Sequence, residues 1–125
     1  MMRNGYAVGM YGQKLAEEYL TEKKWTIIER NYRTKSGEID IIAHDGEYLV
    51  FVEVKYRRSL AFGEPPEAVT STKRGALRAV AEEYLCGKSA KNENPPPAPA
   101  CRFDVVAIYD PPGGQRAFDH IANAF

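Results

Sequence analysis

One stretch, GEIDIIAHDGEYLVFVEVKYR from Gly37 to Arg57, constrains the fold more than any other part of the chain. Two apolar runs of strand length flank Asp45-Gly46, and Asp-Gly between such runs is a strong hairpin signal. Glu38, Asp40, Glu53 and Lys55 interrupt the runs. Side chains alternate across a strand, so each of these charges belongs to a definite face. With Asp45-Gly46 as a two-residue loop, Asp40 lies opposite Phe51 and Glu38 opposite Glu53, and all four charges share one face. Asp40 and Glu53 are then diagonal neighbours about 7–8 Å apart between backbones, a span that one metal ion bridges. The other face carries Ile39, Ile41, Val50, Val52 and Val54; it is purely apolar and must be buried. A one-residue slip would put Asp40 and Glu53 on opposite faces.

Glu38 facing Glu53 is a like-charge pair and is destabilising by itself. Lys55 is one group that offsets it; a bound divalent cation is another. The plain alternative is a solvent-exposed polar face crossed by salt bridges.

The rest of the chain frames this hairpin with helices. From about Gly9 to Lys24 the apolar stripe Leu15, Ala16, Tyr19 and Leu20 has helical spacing. Gly9 and Gly12 weaken the first turn of that helix. Trp25 to Arg33 reads as a strand, followed by strands over Gly37 to Ala43 and Tyr48 to Tyr56. Ser59 to Pro66 is a loop. A second helix is expected from about Thr70 to Leu85 on the stripe Leu77, Val80, Ala81, Tyr84 and Leu85, stopped by Gly87. Residues from about 88 to 100 read as an exposed, Pro-rich loop of extended character. Arg102 to Tyr109 is a further strand, and Ala117 to Ala122 a short edge strand. The order is helix, three strands, helix, then one or two strands, a small α/β sheet with helices packed on it.

The 125 residues fit one domain spanning 1–125. Apolar content of 44% and charged content of 27% are ordinary for a soluble globular protein. No apolar run spans a membrane and the N-terminus lacks a signal-peptide core, so a cytoplasmic location is expected. Cys86 and Cys101 lack metal-binding spacing and are expected to be reduced thiols. Net formal charge is zero, which advertises no global field for nucleic acid. The cations are clustered, however: Lys23, Lys24, Arg30, Arg33 and Lys35 before the hairpin, and Lys55, Arg57, Arg58, Lys73, Arg74 and Arg78 after it. That distribution is either a basic rim around an acidic centre or an ordinary solvated surface.

The residue types favour the site over the wet face. Mg²⁺ takes oxygen ligands and often only one or two carboxylates, with waters and substrate phosphate completing its shell. Asp40, Glu53 and the backbone carbonyl of Val54 supply such a partial shell. Lys55 beside it is suited to orient or deprotonate an attacking water, or to stabilise charge on the phosphorus.

An acidic residue followed at a distance by Glu-x-Lys on an apolar strand, here Asp40 and then Glu53-Val54-Lys55, resembles the PD-(D/E)xK nuclease motif. The wider pattern is more specific. NYRTKSGEIDIIAHDGEYLVFVEVKYR, then FGEPPEAV, Lys73, Ala81 to Leu85, and RFDVV together resemble the YraN-like family of predicted bacterial endonucleases, similar in fold to archaeal Holliday-junction resolvases. The resemblance runs from about Gly9 to Ile108. It implies a restriction-endonuclease-like fold, a central mixed sheet flanked by helices. It also implies a Mg²⁺-dependent phosphodiesterase, with Mn²⁺ as a substitute. Asp40 and Glu53 fall on the metal-binding carboxylates, Lys55 on the catalytic lysine, and Glu38 on the Glu of the family's G-E-I-D stretch. The family commonly has Gly-Glu in the first helix, where this chain has Gly12-Gln13. Gln13 offers Mg²⁺ a neutral oxygen only, or is a surface residue; Glu17, one turn on, is a partial substitute.

Arg57 and Arg58 are placed to grip a backbone phosphate, and Lys73 and Arg74 to do so at the start of the second helix. His44 reads as a turn residue and His120 as a surface one. The leading expectation is an endonuclease acting on DNA, on branched DNA in the resolvase case, where two active sites require a homodimer. Tyr6, Tyr11 and Phe62 are candidate exposed aromatics for a partner surface. The alternatives are a non-catalytic nucleic-acid-binding or scaffold protein with the nuclease fold, and an interaction protein whose polar face is surface.

Overall fold

The computed structural model describes residues 5–59, 69–90 and 99–125, with side chains from residue 8 to residue 88 and from 99 to 125 within those ranges. Its elements are α1 (Gly5–Glu22), β1 (Thr26–Thr34), β2 (Gly37–Asp45), β3 (Tyr48–Arg57), α2 (Ser71–Ala90), β4 (Ala100–Tyr109) and β5 (Ala117–Ile121). The five strands form one sheet in the order β1-β2-β3-β4-β5. β3 and β4 are parallel and every other neighbouring pair is antiparallel. Parallel neighbours need a crossover, and α2 lies within it. The mixed sheet and the element order agree with the sequence reading.

Helices cover both faces. Leu15, Ala16 and Leu20 of α1 pack with Ile41, Ala43, Val50, Val52, Val106 and Ile108. Leu77, Val80, Ala81 and Tyr84 of α2 pack with Ile39, Ile42, Leu49, Phe51 and Val105. The face that carries Glu53 also carries Leu49 and Phe51, so it is not the wet face of a two-layer fold. Ile39 is a second correction. It lies in the α2 layer, whereas Ile41 lies in the α1 layer, so β2 changes its facing at Asp40.

The hairpin turn is Gly46-Glu47, not Asp45-Gly46. Gly46 has φ +59°, as the first central position of a type II′ turn requires. Asp45 therefore pairs with Tyr48, and His44 with Leu49. The register differs from the expected one by two residues, and an even shift keeps the side chains of the paired stretch, Ile41 to Asp45 and Tyr48 to Val52, on their faces.

α1 starts at Gly5, before the expected Gly9, and Gly12 is an interior contact rather than a weak first turn. A Cβ on Gly12 would sit 2.5 Å from Cβ of Tyr56; the bare backbone lets α1 lie against β3. The helix closes in a Schellman arrangement, with N–H of Trp25 donating to O of Leu20 (3.1 Å) and N–H of Lys24 to O of Thr21 (2.9 Å). Lys24 takes φ +73° where glycine is usual. α2 continues through Gly87 to Ala90. A lone glycine lowers helix propensity without ending a helix whose stripe still has a surface to bury. Lys88 to Ala90 are thus helical and Ala100 already belongs to β4. Residues 91–98 of the Pro-rich segment, Phe62 and the side chain of Tyr6 lie outside the described residues. Cys86 and Cys101 are exposed free thiols.

Candidate active site

The β2–β3 ladder ends at Ile41–Val52, although both strands run on. Beyond that pair β2 stays bonded to β1 and β3 to β4. Asp40 stands at the parting. Its Oδ2 accepts the N–H of Val54 at 2.8 Å, taking the place of a carbonyl from the neighbouring strand. This satisfies a donor that strand separation leaves without its ladder partner.

Glu53 follows on β3, its side chain 4% exposed. Its carboxylate neighbour is Asp40 rather than the expected Glu38. Burial, and next the charge of Glu53, raise the Asp40 carboxyl to a pKa of about 7. Glu38 pairs across β1 with Arg33 (3.0 Å). Lys55 Nζ lies 3.9 Å from Glu53 Oε2. Lys73 Nζ, from the first turn of α2, lies 2.5 Å from that same oxygen. Burial works against the charged form of Lys73, yet the hydrogen bond and charge of Glu53 hold its pKa above the ordinary lysine value.

Two clefts meet at these carboxylates. One of about 600 Å³ lies on the α1 side, with Gln13, Asn31, Val54, Lys55 and Arg57 among its walls. The other, about 340 Å³, lies on the α2 side against Glu53, Thr70 and Lys73. Asp40 and Glu38 line both. The site is thus reachable from either face of the sheet.

Asp40, Glu53, Lys55, Glu38, Gln13, Arg57 and Lys73 are gathered here, and Val54 presents its backbone. Gln13 is not a surface residue. It is 5% exposed and forms a reciprocal amide pair with Asn31, both bonds 2.9 Å. Asn31 holds φ +51° inside β1. Glu17 does not stand free to replace a missing acid: it accepts from Arg30 at 2.7 Å and from Gln13 at 3.3 Å. Arg58 is apart from the carboxylates, on a shallow cleft with Tyr11, Tyr56 and Asp110. Arg74 is turned back on its own helix start, Nε donating to O of Val69 (2.9 Å). Among the described residues no three His, Cys, Asp or Glu side chains form a metal cage.

Sequence reasoning missed a second polar centre. Asp104 on β4 is fully buried. It accepts from Arg102 Nε (2.9 Å), Arg102 Nη2 (3.0 Å) and the N–H of Asn123 (2.9 Å), and its Oδ2 lies 2.8 Å from His120 Nε2. Burial would raise its pKa, but these partners hold it below the ordinary aspartate value. His120 is therefore not a surface residue, its side chain being 8% exposed. The signal was present in RFDVV: an acid inside a central apolar strand needs buried partners. His44 is an exposed strand residue of β2 rather than part of the turn.

The model of the uncharacterised protein family UPF0102 matches residues 12–108. A UPF0102 protein of Rhodococcus opacus is 44% identical over 124 residues, covering 99% of this chain and 100% of the relative. One from Symbiobacterium thermophilum is 48% identical over 118 residues, covering 94% and 95%. One from Caldicellulosiruptor saccharolyticus is 46% identical over 108 residues, covering 85% of each.

Proposed function

The chain belongs to the uncharacterised protein family UPF0102, and from that premise we propose that it is a Mg²⁺-dependent endonuclease hydrolysing DNA phosphodiester bonds, with branched DNA as the favoured substrate. The observation that carries this reading is the Asp40–Glu53 pair at the strand parting, flanked by Lys55 and open to two clefts. A fold has no structural need for two facing acids in a buried sheet position. Their mutual repulsion, relieved by a proton at Asp40, is the condition a divalent cation relieves better.

The donor set fits Mg²⁺ or Mn²⁺. Asp40, Glu53 and the carbonyl of Val54 are all oxygen donors, and the clefts leave room for waters and phosphate. A cation held there supplies Lewis-acid polarisation of the scissile phosphate and a water of lowered pKa. The chain's own groups do the rest. Asp40 and Glu53 would hold the cation. Lys55 orients the attacking water and offsets charge that builds on the phosphoryl oxygens. Water oxygen bonds to phosphorus as the opposite P–O ester bond breaks; the proton the water gives up passes to solvent, and the leaving oxygen takes one up from solvent. Arg57, on the α1-side cleft, contacts a flanking phosphate. A junction substrate calls for two such sites, hence a homodimer.

The test is calorimetric titration of Mg²⁺ and Mn²⁺ into wild type and Asp40→Asn, with a four-way junction and a plain duplex incubated in parallel. Metal binding and cleavage that both vanish in the variant are expected. No metal binding by the wild type, even with DNA, would sink the reading.

A second reading has its own observation. Gln13 stands where the resemblance to the YraN-like family implies an acid, and its amide is committed to Asn31. A non-catalytic DNA-binding protein with this fold would bind DNA with steep salt dependence and cleave nothing.

A further inference from the structure

Lys73 sits where local physics disfavours it. Thr70 is the N-cap of α2: its Oγ1 accepts the N–H of Lys73 at 3.2 Å, and its carbonyl accepts the N–H of Arg74 at 2.9 Å. Position N3 of such a start favours Glu or Gln, which closes a capping box and suits the positive end of the helix dipole. This chain has Lys73 there, Arg74 next to it and no acid in the first turn. Local preference is broken where another demand overrides it.

That demand is visible. The Lys73 ammonium reaches Glu53 Oε2 at 2.5 Å, while Lys55 stays 3.9 Å away. Glu53 is nearly sealed at 4% exposure, but the Lys73 side chain is 46% exposed. The cation is therefore the mobile partner: it can leave into solvent, and the carboxylate cannot. Asp40 adds to the attraction, its charge also favouring the Lys73 cation.

Resting on the nuclease reading above, we infer that Lys73 is a stand-in cation. In the metal-free protein its ammonium occupies the place of the divalent ion on Glu53, and metal binding displaces it toward a phosphate of bound DNA. Metal loading and DNA grip are thereby coupled. Two buried carboxylates without a counter-charge would open the strand parting; until the ion arrives the ammonium supplies that counter-charge to Glu53. Once displaced, it remains on the α2-side cleft wall beside Thr70 and Thr72, where a backbone phosphate following that cleft meets it.

The test uses Lys73→Gln, which keeps a hydrogen-bond donor for Glu53 without the charge, together with Lys73→Arg and Lys73→Met. Mn²⁺ is titrated calorimetrically into each metal-free protein. Lys73→Gln and Lys73→Met should bind Mn²⁺ more tightly than wild type, by roughly tenfold, the affinity equivalent of one charge-assisted hydrogen bond no longer broken. Lys73→Arg, which retains the competing charge, should not tighten. Duplex DNA binding is then followed against salt in EDTA and in Ca²⁺. Wild type and Lys73→Gln should match in EDTA, while in Ca²⁺ the wild-type salt slope should be steeper by about 0.9. Unchanged or weaker Mn²⁺ binding in Lys73→Gln overturns the inference and leaves the metal site standing. Weaker DNA binding already in EDTA also overturns it, making Lys73 a simple phosphate contact. No Mn²⁺ binding by any form overturns the inference and the metal reading together.

Discussion

Asp40 has two tasks that a substitution can separate. One oxygen closes the gap in the ladder by accepting the N–H of Val54, and the carboxylate charge faces Glu53. Asparagine keeps the acceptor and adds a donor toward Glu53. Asp40→Asn should therefore raise the unfolding midpoint of the metal-free protein at pH 8, measured by thermal denaturation, while abolishing divalent-cation binding. The gain should fade toward pH 5. An acid whose folded pKa is raised from 3.8 to about 7 loses stability as pH rises through that window, and below it the wild-type group is already protonated. A stability loss at pH 8 would show that Asp40 is held by something other than Glu53 and Val54.

At the scale of elements, α1 is seated by an absence. Gly12 has no room for a Cβ against Tyr56, whereas at Gly9, in the same helix, nothing lies within 4 Å. Gly12→Ala should cost about 1–3 kcal/mol by overpacking, and Gly9→Ala should be neutral or stabilise by up to about 1 kcal/mol. Urea midpoints of the two variants read both values. Because Gln13 and the α1-side cleft move with that helix, Gly12→Ala should also weaken metal binding more than its stability cost explains. Helix existence was legible from the stripe Leu15, Ala16, Tyr19 and Leu20. That Gly12 is a contact rather than a weak turn was not, because its neighbour Tyr56 is brought to it only by packing on β3.

Across the whole molecule, the Asp104 centre ties β4 to the hairpin end and to the α1–β1 turn. Arg102 also reaches Asp45 at the hairpin end (2.9 Å), and His120 reaches Lys23 of the α1–β1 turn (3.1 Å). Asp104→Asn takes the carboxylate away from the Arg102 guanidinium and leaves a buried site short of its anion, and should cost about 3–5 kcal/mol. The depressed carboxyl of Asp104 adds stability that is present above pH 3.8, the ordinary value, and is lost as pH falls through the lower folded pKa. Urea unfolding between pH 3 and pH 7 should show part of the wild-type acid loss missing in Asp104→Asn.

The hairpin, both helices, the edge strand and the grouping of Asp40, Glu53 and Lys55 were determined by the sequence itself. Strand and helix periods are local, and an error of two residues in register leaves the side chains of the paired stretch of the hairpin on their faces. Three features were decided only by tertiary structure: the parting of β2 from β3 at Asp40, the reach of Lys73 from α2 to Glu53, and the burial of Asp104 among Arg102, His120 and Asn123. Each joins residues far apart in the chain through a contact of a few ångströms. No local period encodes such a contact; it exists once helices on both faces have set where the strands end and which charges must neutralise one another.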